Sequence, residues 1–400
     1  MNKSLESLFA IGKKSSRHIL GLMSGTSLDG LDIALCEING SGYETNVSIK
    51  NFSTIPYDED FRTEVRTVIS KKQVDLEKVT LLNEWIALRH ASMINDCLKN
   101  WKISNEKIDI IASHGQTIYH APEIFHQLNK FGNGTLQIGD GDHIAVSTGI
   151  ITISDFRQKH IAAGGEGAPL AVYGDILLFS KQGETRILLN IGGIANFTWL
   201  PGNLSYSPIY SSDTGPGNTL MDSFVQQNFN GKSFDKNAEL AMRGKVNEEL
   251  LIALKENHFF SLPFPKTTGP ELFCTDYLQQ AKERSLTMTI TAEDTLNTLN
   301  KFTADTIGDA IRRNFKAGEK DVKVFVSGGG MHNLLLMQRL QQQLGNCKFQ
   351  TTETLGIDPD AKEAVLFAVL ANECICGDPS VFSNVIGMPA ITMGKISFPG

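Results

Sequence analysis

The sequence predicts an α/β protein of two domains, each built around a strand, a glycine turn and a returning strand, with a cleft between the copies. Three observations lead there. The pattern occurs at His18 to Ile38 and again at Arg186 to Leu200. Each copy begins one half of the chain and is followed by helical stretches. At 400 residues the chain exceeds what one ordinary hydrophobic core supports. The expected division is an N-terminal extension at 1–17, a first domain of 18–150 with 379–400, and a second of 151–378.

In order, Ile19-Leu20-Gly21-Leu22-Met23 is a strand, Ser24-Gly25-Thr26-Ser27-Leu28-Asp29-Gly30 a turn, and Leu31 to Ile38 the return. Leu82, Ile86, Met93 and Cys97 keep near-helical spacing, which predicts a helix over about 76–101. The apolar run Ile108 to Ala112 is a strand leading into the polar loop Ser113-His114-Gly115-Gln116-Thr117. In the second half, Arg186 to Ile191 and Ile194 to Leu200 flank Gly192-Gly193. Asp213-Thr214-Gly215-Pro216-Gly217-Asn218 then opens a helix at about 219–229, with Asn218 as its N-cap. Ser327-Gly328-Gly329-Gly330 closes the strand Lys323 to Val326 and precedes a helix at Asn333 to Leu344. A last helix, about 360–375, carries Glu363.

Composition excludes several classes. With 41% hydrophobic and 20% charged residues the chain is neither disordered nor fibrous. A net charge of −7 argues against nucleic acid and anionic membranes as partners, since both recruit clustered Lys and Arg. The basic cluster Lys13-Lys14 to Arg17-His18 reads as part of a solvated tail. Leu5, Leu8, Phe9 and Ile11 form no apolar run of signal-peptide length, and nothing approaches a membrane span. Six cysteines lack disulfide or zinc spacing, so a cytoplasmic, reduced chain is expected. The sequence leaves the oligomeric state open, a homodimer included.

A phosphate chain needs closely approaching backbone N–H donors, hence glycines, small hydroxyl residues and helix N-termini. The turn Ser24 to Gly30 has them, with Asp29 as a carboxylate able to organise hydrated Mg²⁺. An ordinary polar hairpin is the plain alternative. Other nucleotide motifs fail: Gln226 stands where a P-loop ending in Gly231-Lys232-Ser233 needs its first glycine, and Gly215-Pro216-Gly217 lacks the third glycine of a dinucleotide fingerprint. If ATP binds, both hairpins must hold it, with Ser327 to Gly330 near the nucleoside.

Asp213, just ahead of a helix N-terminus, is expected to be kept ionised by the dipole and able to act as a general base; a capping role fits equally. His114 and His120 have no metal spacing and are read as hydrogen-bonding groups. Asp140 and Asp142 lack the remaining ligands of a calcium loop. Asp213 with Glu363 could supply a glycosidase carboxylate pair, which sequence separation does not decide.

Together these segments resemble the anhydro-N-acetylmuramic acid kinases. The match runs through Gly21 to Gly30, Ser113 to Thr117, Leu136-Gln137-Ile138-Gly139, Asp155-Phe156-Arg157 and Ala162-Ala163-Gly164-Gly165. It continues through Gly167-Ala168-Pro169-Leu170, Leu189 to Gly193, Asp213 to Asn218 and Gly328-Gly329-Gly330. The resemblance implies the actin/hexokinase-like (ribonuclease H-like) fold with ATP between two domains. It implies conversion of 1,6-anhydro-N-acetylmuramate, ATP and water into N-acetylmuramate 6-phosphate and ADP, in peptidoglycan recycling.

By the same resemblance Asp213 is the catalytic base and Glu363 an acidic residue near the sugar. Ser24, Gly25, Thr26, Ser27, Leu28, Asp29, Gly30, Asp32, Gly192, Gly193, Gly328, Gly329 and Gly330 would serve ATP, with Asp29 at Mg²⁺. His114, Gln116, Thr117, Arg157, Gly215 and Asn218 would serve the amino sugar. The chain departs from the family where Lys159-His160 replaces Arg-Asp, Glu166 replaces Gln, and Lys266-Thr267-Thr268-Gly269-Pro270-Glu271 loses an arginine at Pro270. An ordinary amino-sugar kinase and a chaperone-like ATPase of the same fold remain as rivals. The second is expected to need a peptide-binding module, and none is read in this sequence.

Overall fold

A computed structural model describes residues 2–204, 207–315, 321–358 and 360–400. The chain forms two compact units, Met1–Phe179 with Ile357–Gly400, and Ser180–Gly356. The first contains α1 (Lys3–Gly12), β1 (Ser16–Ser24), β2 (Gly30–Asn39), β3 (Asn46–Pro56), α2 (Glu59–Arg66), α3 (Leu76–Trp101), β4 (Ile110–Ala121), α4 (Glu123–His126) and β5 (Gly134–Ile138). It continues with α5 (Gly141–Thr148), β6 (Thr152–Ser154), α6 (Phe156–Ala162) and α7 (Ala171–Phe179). The second holds β7 (Arg186–Ile191), β8 (Ile194–Leu200), β9 (Tyr210–Pro216), α8 (Thr219–Asn228), α9 (Glu248–Lys255) and α10 (Thr275–Arg284). After these come α11 (Ala292–Arg312), β10 (Val322–Ser327), α12 (Leu334–Gln343) and β11 (Cys347–Thr351). The chain then returns to the first unit with α13 (Lys362–Cys376) and β12 (Lys395–Ser397).

Both sheets repeat one topology. In the first unit the order is β3-β2-β1-β4-β6, extended by β12, with β5 also on β4. In the second it is β9-β8-β7-β10-β11. In each, the first three strands form an antiparallel meander, and the next two add parallel to the first. This is the duplicated ribonuclease H-like arrangement, and it settles the fold class from connectivity alone. Parallel additions need crossovers, which the helices between strands supply.

The unit boundaries differ from the expected ones. β6 pairs parallel with β4 and antiparallel with β12, which ties residues 151–179 to the first sheet. α13 packs on β1, β2 and β4, so its hydrophobic face (Val365, Phe367, Ala368, Val369) belongs to that unit too. The extension at 1–17 is likewise no solvated tail. Asn2 caps α1, Ile11 is buried, and Lys14 pairs with Asp109 at 2.5 Å. Arg17 is buried, donating from Nε to Asn372 Oδ1 at 2.7 Å and from Nη2 to the Gly40 carbonyl at 2.8 Å.

Candidate functional site

In the first unit, β1 delivers its glycine turn to one end of the sheet, where β4 and β5 bring their polar residues. A cavity of about 420 Å³ is lined there by Ser24 to Ser27, His114, Thr117, His120, Thr135, Gln137, Arg157 and Glu363. Most residues expected at the sugar and the turn in this unit are therefore neighbours. Thr135 and Gln137 were not foreseen as site residues; they flank the exposed Leu136 on β5, with Thr135 buried and Gln137 half-buried.

The turn is held from behind by a buried chain of hydrogen bonds. Tyr57 Oη donates to Ser24 Oγ at 2.7 Å, and Ser24 Oγ donates to Gln116 Oε1 at 2.5 Å. His90 Nε2 lies 2.9 Å from Tyr57 Oη, so it supplies the proton that the tyrosine oxygen accepts. Burial pulls His90 down to about 4 and keeps it neutral. Nothing in the sequence joined Tyr57 and His90 to the turn. Gln116 is fully buried and bonds the Ser24 hydroxyl and the Gly25 carbonyl, so in this structure it braces the turn from behind. Leu28 anchors the turn by its side chain, which belongs to the hydrophobic core, and leaves its backbone in the turn at φ +60°.

Asp29 is exposed, and Asp32 accepts from Thr54 Oγ1 at 2.6 Å. Burial raises Asp32's proton affinity, the Thr54 bond lowers it, and nearby Asp360 and Asp29 raise it again. Asp29, Asp32 and Asp360 stand close enough for their charges to interact, which suits a hydrated Mg²⁺. Among the described residues no three His, Cys, Asp or Glu side chains form a complete metal cage. Asp360 is a further member that its position just before α13 did not announce.

Arg157 and His114 form a second buried pair. Arg157 Nε donates to His114 Nε2 at 3.1 Å and Nη1 donates to the Gly167 carbonyl at 2.8 Å. Burial first, then the Arg157 charge, push His114 down to about 3, so it is a neutral acceptor. Glu363, on the first turn of α13, favours the Arg157 charge against the cost of its burial.

In the second unit three turns converge on Ile191. The amides of Gly217 and Asn218 donate to the carbonyls of Gly193 and Gly192, each at 2.8 Å. A Cβ at Gly217 would stand 2.2 Å from the Gly192 oxygen. Gly328 adopts φ +81°, and a Cβ there would meet Asn190 Oδ1 and the Ile191 oxygen at 2.7 Å. From α11, Thr303 Oγ1 donates to the Gly217 carbonyl at 3.1 Å and Asn300 Nδ2 to Asn333 Oδ1 at 2.9 Å. Neither of these buried polar residues of α11 was foreseen from the sequence.

Asp213 lies on β9 and not in a loop before the helix, which corrects its expected setting. Its amide donates to the Lys266 carbonyl at 3.0 Å, and its Oδ2 accepts the Thr268 amide at 2.8 Å. Burial raises its proton affinity and the Thr268 bond partly offsets this. Asn218 makes no side-chain cap; its Nδ2 donates to the Ile191 carbonyl at 3.2 Å, fastening the turn to β7.

Residues 17–399 match the family described as anhydro-N-acetylmuramic acid kinase. The chain belongs to that family. A member from Pseudoalteromonas atlantica is 56% identical over 100% of both chains. One from Caldanaerobacter subterraneus subsp. tengcongensis is 38% identical over 98% of this chain and 100% of its own. Among solved structures, an activator of the 2-hydroxyisocaproyl-CoA dehydratase from Clostridium difficile aligns with 90% of this chain and 95% of its own, at a TM-score of 0.35 and 12% identity. That likeness is too distant to bear on function. Within the family, the departures of this chain fall on two kinds of position. Lys159, Glu166 and Pro270 are exposed, whereas His160 is buried and accepts the Gly167 amide on Nδ1 at 2.9 Å. His160 thus builds the loop beside Arg157.

Proposed function

We propose that the protein is a cytoplasmic, ATP-dependent kinase that opens 1,6-anhydro-N-acetylmuramate with water and phosphorylates its 6-oxygen. The products would be N-acetylmuramate 6-phosphate and ADP. The observation that carries this reading is the Asp213 carboxylate. It is held by a single backbone amide, has no ion-pair partner among the described residues, and is shifted by burial toward a basic role. Membership of the family supplies the substrate class.

Asp213 orients a water and takes its proton as the water oxygen bonds to the anomeric carbon. The bond from that carbon to the 6-oxygen breaks, and the freed oxygen takes the γ-phosphoryl group, releasing ADP. Capture by phosphoryl transfer removes the need for a separate general acid. The Ser24 to Gly30 turn and the glycines at 192–193 and 328–330 are assigned to ATP. Asp29 and Asp32 are the residues that would hold Mg²⁺, which supplies charge neutralisation on the phosphates. Arg157 and Glu363, with Thr117, are assigned to the sugar, together with Gly215 and Asn218, while His114 holds Arg157 in place.

Isotopic water tests the reading. Product made in ¹⁸O-water should carry label on the anomeric hydroxyl and none in the oxygen bridging to phosphorus, with short incubation to limit anomeric exchange. Label in released phosphate and none in sugar would mean simple ATP hydrolysis. Transfer to an already open amino sugar, with no uptake from water, would mean an ordinary sugar kinase.

A further inference from the structure

Beside the strand that carries Asp213 lies a cavity of about 180 Å³, lined by Thr214, Phe264, Lys266, Thr306, Asp309 and Arg313 among others. It lies wholly within the second unit and is far larger than one water requires. Its charge is unusual. Lys266 is a buried ammonium whose Nζ donates to the Phe259 carbonyl at 2.7 Å and lies 4.2 Å from the centre of the Phe259 ring. Among the described residues it has no carboxylate partner, and neither has Arg313, which donates to the Phe260 carbonyl at 2.8 Å. Lys255 also reaches the wall but is paired with Asp305, and the one acid on the wall, Asp309, is paired with Arg312.

Carbonyls and ring faces compensate a buried ammonium only in part. Burial, then the nearby Arg313 charge, pull Lys266 down to about 8. A single small anion held by Lys266 and the exposed Arg313 guanidinium would relieve the cost of burying the ammonium. Hydroxyl groups at Thr214 and Thr306 add polar wall, Phe260 and Phe264 supply its apolar part, and the small volume favours a small guest.

We propose that this cavity is a second binding site, for a small inorganic oxyanion such as orthophosphate, held between Lys266 and Arg313. The site adjoins the base directly. The Lys266 carbonyl accepts the Asp213 amide, and two residues on, the Thr268 amide holds the Asp213 carboxylate. The proposal does not depend on the reaction assigned above, because it concerns binding to the cavity alone.

The test is calorimetric titration of sodium phosphate into the full-length protein at constant ionic strength and pH 7, with saturating ADP to block any phosphate site used by the nucleotide. One site is expected, weakened at least about tenfold in Arg313→Gln, the loss of one charge-assisted contact. Arg313 is exposed, so this variant should fold; Lys266→Met, checked for its unfolding transition, should lose binding as well. No phosphate heat in the wild type, or equal affinity in wild type and Arg313→Gln, overturns the proposal. Glucose 6-phosphate in place of phosphate should give no ADP-insensitive site, and binding of equal strength would overturn the size limit.

Discussion

At the scale of single residues, chemistry depends on what surrounds a carboxylate or an imidazole. Asp213 has a half-buried setting and one amide donor; burial raises its proton affinity and the amide offsets part of that rise. The proposed base works only when ionised; turnover should therefore fall as pH drops through that raised value, with an acid limb displaced upward from that of a solvated aspartate. Asp213→Asn should cut sugar phosphorylation by at least about 100-fold while leaving ATP affinity unchanged, measured by steady-state kinetics and nucleotide titration. Near-normal turnover would end the assignment. The identity of Asp213 was legible from its motif. Its protonation was not, because that depends on Lys266 to Thr268, more than fifty positions away in the chain.

At the scale of elements, two glycines of one motif do different work. Gly21, in the middle of β1, lies under α13, and a Cβ there would be only 1.8 Å from the Ala364 oxygen. Gly21→Ala should destabilise the protein by about 3 kcal/mol or more, since backbone cannot yield as a side chain can. Gly25, in the turn itself, has its nearest neighbour at 3.6 Å, the Ser27 hydroxyl. Gly25→Val should unfold at a normal denaturant midpoint yet bind ATP more weakly, because bulk at the turn blocks approach of the phosphates. If Gly25→Val lowered the midpoint as much as Gly21→Ala, this division of roles would be wrong. Strand, turn and strand were readable from periodicity and glycine spacing; the helix pressing on β1 was not, since it comes from the other end of the chain.

For the whole molecule, buried histidines predict how stability varies with acid. His90, His114 and His160 stand at about 4, 3 and 4 in the folded state against an ordinary 6.5, each chiefly through burial. Unfolded chains bind their protons below 6.5 while the folded chain does not, so their stabilising effect is complete above 6.5 and is lost as pH falls toward 4. Unfolding near pH 5 should take up about three protons, and stability should drop by roughly 2 kcal/mol or more between pH 7 and pH 5. Urea titrations at the two values measure it, and His160→Gln should remove part of the slope. A flat profile would mean that these imidazoles are solvated.

The sequence by itself determined the local pieces: strand–glycine–strand units in both halves, the helix at 76–101, the turn at Ser24 to Gly30 and the motif around Asp213. Those signals are periodic or conformational, and they act over a few residues. Tertiary structure alone decided which pieces share a unit, because β6, α13 and β12 join the first sheet through pairings that cross more than two hundred residues. It also decided that Gln116 supports where Arg157 faces the cavity, and that Lys266 is a buried cation without a carboxylate. Burial is a property of packed neighbours, and it sets both the charge and the reach of every polar group in the site.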